Sequence, residues 1–341
     1  MSYNNPLREL GNTGVKIPAV GYGALSLSHV YGPANDDESR ALLKEAVTLG
    51  CTFWDTANIY GLGHNEECIS PVLKENRDKV FICTKFGIHS TPEMAFGPPR
   101  GDREYVFEMC DASLKRLGIE QIDLYYQHRV DPKVPIEETV KAMKELQDAK
   151  KVKYLGLSEC SAETLERALK IARIEAVQIE YSPWETGPET SGLLEVMRKN
   201  KISLVAYSPL GRGMLTGKYK SPSDFHETDY RRLDPRYQGE AFDLNMRLVN
   251  EFAKLAEKKS KAIGEHITPA AFCLAWILYQ GEDMIVIPGT KVPERLKENL
   301  MAGKVLQNFT TEDDIAVRKL VDEIKVVGER YDPQGLEQVN K

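Results

Sequence analysis

Positive charge is in short supply in this chain: 45 Lys and Arg stand against 51 Asp and Glu, a formal net charge of −6. A nucleic-acid partner needs a basic face against its phosphates, so the balance argues against that class, although a local basic site for one small phosphorylated ligand stays open. Long apolar runs are also missing. A bilayer span takes about 20 residues, and stretches such as Ala270–Tyr279 are too short and interrupted. Met1–Leu10 is polar and lacks the apolar core of a secretory signal, so a cytoplasmic, non-membrane protein is expected. The six cysteines (Cys51, Cys68, Cys83, Cys110, Cys160, Cys273) are scattered and none forms C-x-x-C. Reduced structural thiols are expected from them, with no metal site and no disulfide. No strand runs into G-x-G-x-x-G and a helix; Gly21-Tyr22-Gly23 lacks the following glycine, which argues against a Rossmann domain.

What is there is an ordinary globular balance, 42% hydrophobic and 28% charged, enough for a substantial core. Short β-branched or apolar runs alternate with helical patterns, the mark of a parallel α/β fold. The strand candidates are Ala19–Leu25, Thr52–Asp55, Val80–Lys85, Asp123–Gln127, Val152–Ser158, Ala176–Glu180, Ser203–Ser208 and Met284–Pro288. Eight is the number that closes a (β/α)₈ TIM barrel, a unit that commonly uses about 250 residues or more. One domain over 1–341 is expected, with the barrel core at about 19–300. Ahead of it, Leu7–Pro18 carries the turn Asn12-Thr13-Gly14 and reads as a β-hairpin plugging one barrel end.

Between the strands, Leu165, Ala168, Leu169 and Ala172 share one helix face, as do Val106, Cys110, Leu114 and Leu117. Ser161 is placed to cap its helix and Glu163 to meet the positive end of the dipole. Pro135 and Pro293 suit first-turn positions. Two segments break the rhythm. Pro209 to about Leu244 is rich in Gly, Pro, Arg, Tyr and Ser, a length typical of lids and binding loops. The tail at about 326–341 contains Gly328-Glu329-Arg330-Tyr331-Asp332-Pro333.

Active-site groups of a TIM barrel gather at the carboxyl ends of its strands. Applied here, that rule brings Asp55, Lys85 and His128 to one mouth, with Tyr60 carried there by the loop after Asp55. Each type alone is more often a rim residue, an ion-pair member or packing. Together they make a proton donor. A phenol has a reference pKa of about 10. The Lys85 ammonium is expected to lower it for Tyr60, while Asp55 keeps Lys85 charged and oriented. His128 can polarise a substrate carbonyl while Tyr60 protonates the forming alkoxide.

These residues also carry a family resemblance. Asp55-x-Ala57-x-x-Tyr60-Gly61, Lys85 ending a strand, and Asp123-Leu-Tyr-Tyr-Gln-His128-Arg129 resemble the signature regions of the aldo-keto reductase superfamily. Matching segments run from about Leu7 to Asn299, closest in flavour to aldehyde, pyridoxal and quinone-type members of fungi and plants. The resemblance implies a catalytic tetrad of Asp55, Tyr60, Lys85 and His128, and NADPH as cofactor. After the eighth strand comes Gly289-Thr290-Lys291-Val292-Pro293-Glu294-Arg295-Leu296-Lys297-Glu298-Asn299. Barrels bind phosphates there and at a helix N-terminus. Gly289 permits close backbone approach, Thr290 offers a hydroxyl, and Lys291 and Arg295 offer charge to a 2′-phosphate. The resemblance places Arg295, Glu298 and Asn299 on that phosphate and the adenine. It likewise implies that Tyr207 stacks on the nicotinamide and that Ser208, Leu210, Arg212 and Gly213 meet the pyrophosphate. Ser158 and Gln178 match the carboxamide-binding positions. One departure stands out: many members have Ser-Asn where this chain has Ser158-Glu159, and the sequence leaves open whether Glu159 turns away or replaces the Asn contact.

Substrate identity is weakly encoded beyond a small-molecule carbonyl. Leu25–Tyr31, the loop around Phe86–Pro99, Trp184 and the tail are expected around the pocket, with Tyr31, Phe96 and Trp184 as either an apolar wall or loop packing. Oligomeric state is open. Two other functions compete: a nucleotide-binding regulatory subunit with little turnover, and a barrel lyase using Lys85 as a Schiff base, which requires a deprotonated lysine.

Overall fold

A computed structural model of the chain describes residues 4–90 and 97–341. Its strands are β1 (Leu7–Glu9), β2 (Lys16–Pro18), β3 (Tyr22–Gly23), β4 (Phe53–Asp55), β5 (Phe81–Phe86), β6 (Ile122–Gln127), β7 (Val152–Ser158), β8 (Ala176–Glu180), β9 (Ser203–Tyr207) and β10 (Met284–Val286). β3 to β10 form one parallel sheet in sequence order. Val20 bridges Val286, with Gly21 N–H to Val286 O at 2.8 Å and Val286 N–H to Ala19 O at 2.9 Å, and the sheet closes into an eight-stranded barrel. Glycines make that seam possible. A Cβ on Gly23 would lie 2.6 Å from Ile287 O, and one on Gly289 would lie 2.6 Å from Gly23 O. The close approach expected of Gly289 is thus realised first against its own neighbouring strand.

The period-2 alternation of strands sorts side chains into two layers. Phe53, Cys83, Leu124, Tyr126, Ala176, Val205 and Ile285 fill the barrel interior. Their neighbours Trp54, Ile82, Tyr125, Val177 and Leu204 point outward to the helices and join the large outer core. At the amino ends, β1 and β2 pair antiparallel and drop Leu10 and Ile17 into the interior layer. Arg8, 3% exposed, donates to the carbonyls of Leu278 (2.7 Å), Gly281 (2.6 Å) and Met284 (2.5 Å), fastening the plug to the start of β10.

Local signals mostly land where the sequence puts them. Ser161 caps the helix Ala162–Leu169 through Thr164 N–H, and Glu163 sits in its first turn. Val106, Cys110 and Leu117 are buried on the helix Arg103–Leu117. Pro293 opens the helix Pro293–Leu300 at its first position. Pro135 instead takes the N-cap of Ile136–Asp148, one residue outside the first turn, and Ala172 lies beyond the end of its helix. The first strand is shorter than expected: Ala24–Ser28 turns into a 3₁₀ helix. The segment after β9 is a run of 3₁₀ turns only to Tyr237, because Gly239–Ile263 is a long helix. All six cysteines are buried and unpaired, and no helix among the described residues is long and apolar enough to cross a membrane.

Candidate active site at the carboxyl ends of the strands

The alternation that fills the barrel also aims its upper residues. Two positions above Phe53 is Asp55, and two above Cys83 is Lys85. His128 lies two above Tyr126, Gln178 two above Ala176, and Tyr207 two above Val205. Each therefore faces inward at the carboxyl end of its strand. Tyr60 comes from the loop after β4, where Thr56 and Asn58 continue the pairing by donating to Cys83 O (2.9 Å) and Lys85 O (3.1 Å). Asn65 pins that loop: its side chain accepts from Thr56 Oγ1 (2.7 Å) and donates to Ala24 O (2.9 Å) and Ser28 Oγ (2.7 Å).

The four groups meet. The Lys85 ammonium, wholly buried, pairs with Asp55 and donates to Thr56 O (2.7 Å) and Tyr60 Oη (3.4 Å). It also lies 5.0 Å from the centre of the Tyr60 ring. Asp55 Oδ2 accepts from Gln178 Nε2 at 2.8 Å. The rings of Tyr60 and His128 approach edge to face, 5.9 Å between centroids. Burial opposes charge on Lys85, but Asp55 and Tyr60 outweigh it and hold its pKa above the ordinary lysine range. Burial, reinforced by Arg129 and Lys85, pushes His128 well below the usual imidazole value, so the ring is neutral near pH 7. One expectation is corrected. Lys85 does pull the Tyr60 pKa down, but burial pushes it up by more, and the phenol rests above its ordinary value.

The remaining candidates divide. Ser158 is buried with no hydrogen-bond partner for its Oγ among the described residues. Gln178, matched to a carboxamide, is engaged with Asp55. Ser208 and Arg212 lie in the left-handed backbone region, at φ 46° and 51°, and Gly213 follows at 94°. Such backbone is uncommon outside glycine and clusters at functional sites. Arg212 pairs with Asp234 of the long loop, and Leu210 is buried beside it. Thr290 is buried, and its carbonyl accepts from Tyr22 Oη at 2.6 Å. Arg295 and Glu298 are half-buried and Asn299 buried on the helix Pro293–Leu300, whose N-cap Val292 has no side chain able to cap the first amides. Lys291, expected to offer charge to a phosphate, turns instead to the carbonyls of Tyr31 (3.1 Å), Gly32 (3.1 Å) and Pro33 (2.6 Å). Burial lowers its pKa.

Glu159 is settled in part. It turns inward at φ 53°, wholly buried. Its carboxylate accepts from Tyr207 Oη (2.6 Å) and from Arg330 (2.9 and 3.2 Å). No local signal marked Arg330, which is 171 residues away in sequence. Trp184 is 2% exposed, stacked on Tyr237 and packed under Gly211, so it is loop packing rather than an open wall. Tyr31 is half-buried beneath the Arg231 guanidinium, 4.9 Å from the ring centre. Phe96 lies outside the described residues.

The aldo/keto reductase family profile matches residues 19–322. An aldo-keto reductase of Schizosaccharomyces pombe, named with NADP(+), is 44% identical over 96% of this chain and 95% of its own. One from Strobilurus tenacellus is 45% identical over 95% of this chain and 94% of its own. Among solved structures, a glycerol dehydrogenase from Gluconobacter oxydans superposes with a TM-score of 0.83 at 27% identity, covering 98% of this chain and 99% of that one. With these lengths and identities added to the closed barrel, the chain belongs to the aldo/keto reductase family.

Proposed function

We propose that this protein reduces an aldehyde or ketone to the alcohol with NADPH, Tyr60 acting as the proton donor. Membership of the family makes the chain an NADP-dependent oxidoreductase acting on small-molecule carbonyls; the roles of individual residues are the proposal. The observation that carries it is the contact of one buried ammonium, Lys85, with both the Asp55 carboxylate and the Tyr60 hydroxyl.

When bound, the reduced nicotinamide supplies a hydride to the carbonyl carbon. Tyr60 gives the proton to the carbonyl oxygen as negative charge grows there. Burial keeps the phenol protonated beforehand, which suits a donor. The Lys85 ammonium, 3.4 Å away, stabilises the phenolate only as it forms, which is where stabilisation speeds a reaction. Neutral His128 can donate a hydrogen bond to the carbonyl oxygen and hold the substrate. Asp55, fixed by Gln178, keeps Lys85 charged and in place.

Ser158, Gln178, Tyr207, Ser208, Leu210, Arg212, Gly213, Gly289, Thr290, Arg295, Glu298 and Asn299 are the residues proposed to hold NADPH, with Lys291 bracing the 31–33 loop beside them. The Ser158 hydroxyl, which has no hydrogen-bond partner among the described residues, and the helix start at Val292, which no side chain caps among them, fit such a ligand. A Schiff-base lyase reading loses ground, since the surroundings of Lys85 favour its protonated form. For a regulatory subunit, nothing in this site offers particular support.

Tyr60→Phe should lower carbonyl reduction by about 10²–10⁴-fold, the usual worth of a positioned acid. Its NADPH affinity should stay within about twofold by fluorescence titration, because no bond to the cofactor is asked of that hydroxyl. Wild-type turnover in this variant, in an NADPH-consumption assay over diverse aldehydes and ketones, would remove Tyr60 from the mechanism.

A further inference from the structure

The tail beyond the helix Thr311–Glu323 is built into the mouth of the barrel. Val327 and Asn245 bond reciprocally at 2.8 Å each way, and Gly328 O accepts from Arg236 Nε at 3.0 Å. The chain then delivers the Arg330 guanidinium to three carboxylates: Glu159 at 2.9 Å, Glu180 at 3.5 Å and Glu185 at 4.0 Å. Glu159 and Glu180, at the ends of consecutive strands, are almost wholly buried. Buried carboxylates of one sign need a cation close by, and Arg330 is one that reaches them. Tyr331 follows. Its hydroxyl meets Tyr207 Oη at 2.7 Å and accepts from Arg129 Nη2 at 3.5 Å. Its ring lies 4.7 Å from the Arg212 guanidinium carbon, and Arg212 Nη2 donates to Arg330 O at 3.3 Å.

We infer that Arg330 and Tyr331, clamped by Glu159, are positioning residues for the cofactor: they fix the tilt of Tyr207 where its ring would lie on the nicotinamide. This rests on the reading of Tyr207 given above. The Tyr207 hydroxyl is held from two sides, by Glu159 Oε1 at 2.6 Å and by Tyr331, so the ring cannot tilt without breaking a partly buried hydrogen bond. Glu159 holds its place against its own backbone, which at φ 53° disfavours a glutamate. Asn adopts that conformation more readily but is one methylene shorter, with less reach toward Tyr207 and Arg330. The same tail touches Arg212, so one short segment is tied to both the residue proposed for the nicotinamide and one proposed for the pyrophosphate.

The test compares wild type with Tyr331→Phe, which removes one hydroxyl and keeps the ring, with Arg330→Met, and with Glu159→Asn, which relieves the backbone. NADPH binding is followed by fluorescence, and reduction is run with NADPH and with NADPH deuterated at the transferred position. Each variant should bind NADPH about tenfold more weakly, the scale of one lost hydrogen bond. Each should also show a larger deuterium isotope effect on kcat, because a misplaced ring slows the hydride step itself, while KM for the carbonyl moves less than about threefold. Arg330→Lys should restore part of the affinity. A tail that only stabilises the fold would lower the melting temperature and leave the isotope effect alone. Folded Tyr331→Phe and Glu159→Asn proteins with wild-type affinity and isotope effect would overturn the inference. Wild-type protein that neither binds NADPH nor reduces any carbonyl would instead overturn the cofactor reading beneath it.

Discussion

Lys85 is a charged side chain at 0% exposure, and its partners decide both its chemistry and its contribution to stability. A buried ion pair gains little over a well-packed apolar pair, but removing one partner leaves the other charge stranded. Lys85→Met should therefore destabilise the fold by about 3–5 kcal/mol in urea unfolding, with Asp55 stranded. Adding Asp55→Asn should recover a large part of that loss, because the neutral amide has no charge to desolvate. If the double variant is as unstable as the sum of the singles, the pair is not energetically coupled and the charge argument fails. Asp55, Lys85 and His128 were legible in the sequence for a plain reason: each lies within one residue of the end of its strand, and strand alternation fixes its direction. The Glu159–Arg330 contact was not. Its partners lie far apart in the chain, and neither segment has a periodicity that points to the other. The resting pKa of Tyr60 runs opposite to the sequence expectation because an adjacent charge is visible in sequence, whereas the depth of burial is not.

Elements account for a second tier of the site. The helix Pro293–Leu300 begins with a proline at its first position and a valine that cannot cap it; Arg295 and Leu296 N–H both donate to Val292 O, at 3.1 and 3.2 Å, and Glu294 N–H is the first-turn amide without a backbone acceptor among the described residues. Helix N-termini attract anions through the dipole and any free amide, and Arg295 stands in the first turn. With Lys291 turned to three carbonyls of the 31–33 loop and Lys297 paired with Glu45 at 2.7 Å, Arg295 is the cation of this segment proposed to read a 2′-phosphate. Arg295→Ala should weaken NADPH binding by about tenfold or more, a charge-assisted contact being worth about 1.5–3 kcal/mol, and leave NADH binding within about twofold. Equal losses for both coenzymes in parallel titrations would exclude phosphate recognition by this residue. Strand number and order were readable here because β-branched runs alternate with helical faces. Ends were harder: the first strand's apolar run continues into the 3₁₀ turn Ala24–Ser28, where hydrophobicity persists after pairing stops.

Across the whole molecule, the barrel separates holding together from acting. The plug of β1 and β2 covers the amino ends of the strands, and the tail and the loop after β9 cover the carboxyl ends. Between them the interior is filled by Phe53, Cys83, Leu124, Tyr126, Val205 and Ile285, a packed core and not a channel. Perturbing one end should therefore change stability without disturbing the other. Arg8 is the sharpest probe. Its guanidinium satisfies the carbonyls of Leu278, Gly281 and Met284 from a position 3% exposed. Arg8→Met keeps the stem and removes the donors, leaving those carbonyls to find other partners; buried acceptors left unpaired cost about 1–3 kcal/mol each at most. A loss of roughly 3 kcal/mol in urea unfolding is expected, with NADPH affinity and the kcat of the surviving folded protein within about twofold of wild type. A variant that kept its stability and lost cofactor binding would mean that the two ends are coupled through the core. The layered packing makes that route indirect: Asp55, Lys85, His128, Gln178 and Tyr207 each stand two positions above an interior side chain, and the plug residues Leu10 and Ile17 meet them only through that interior layer.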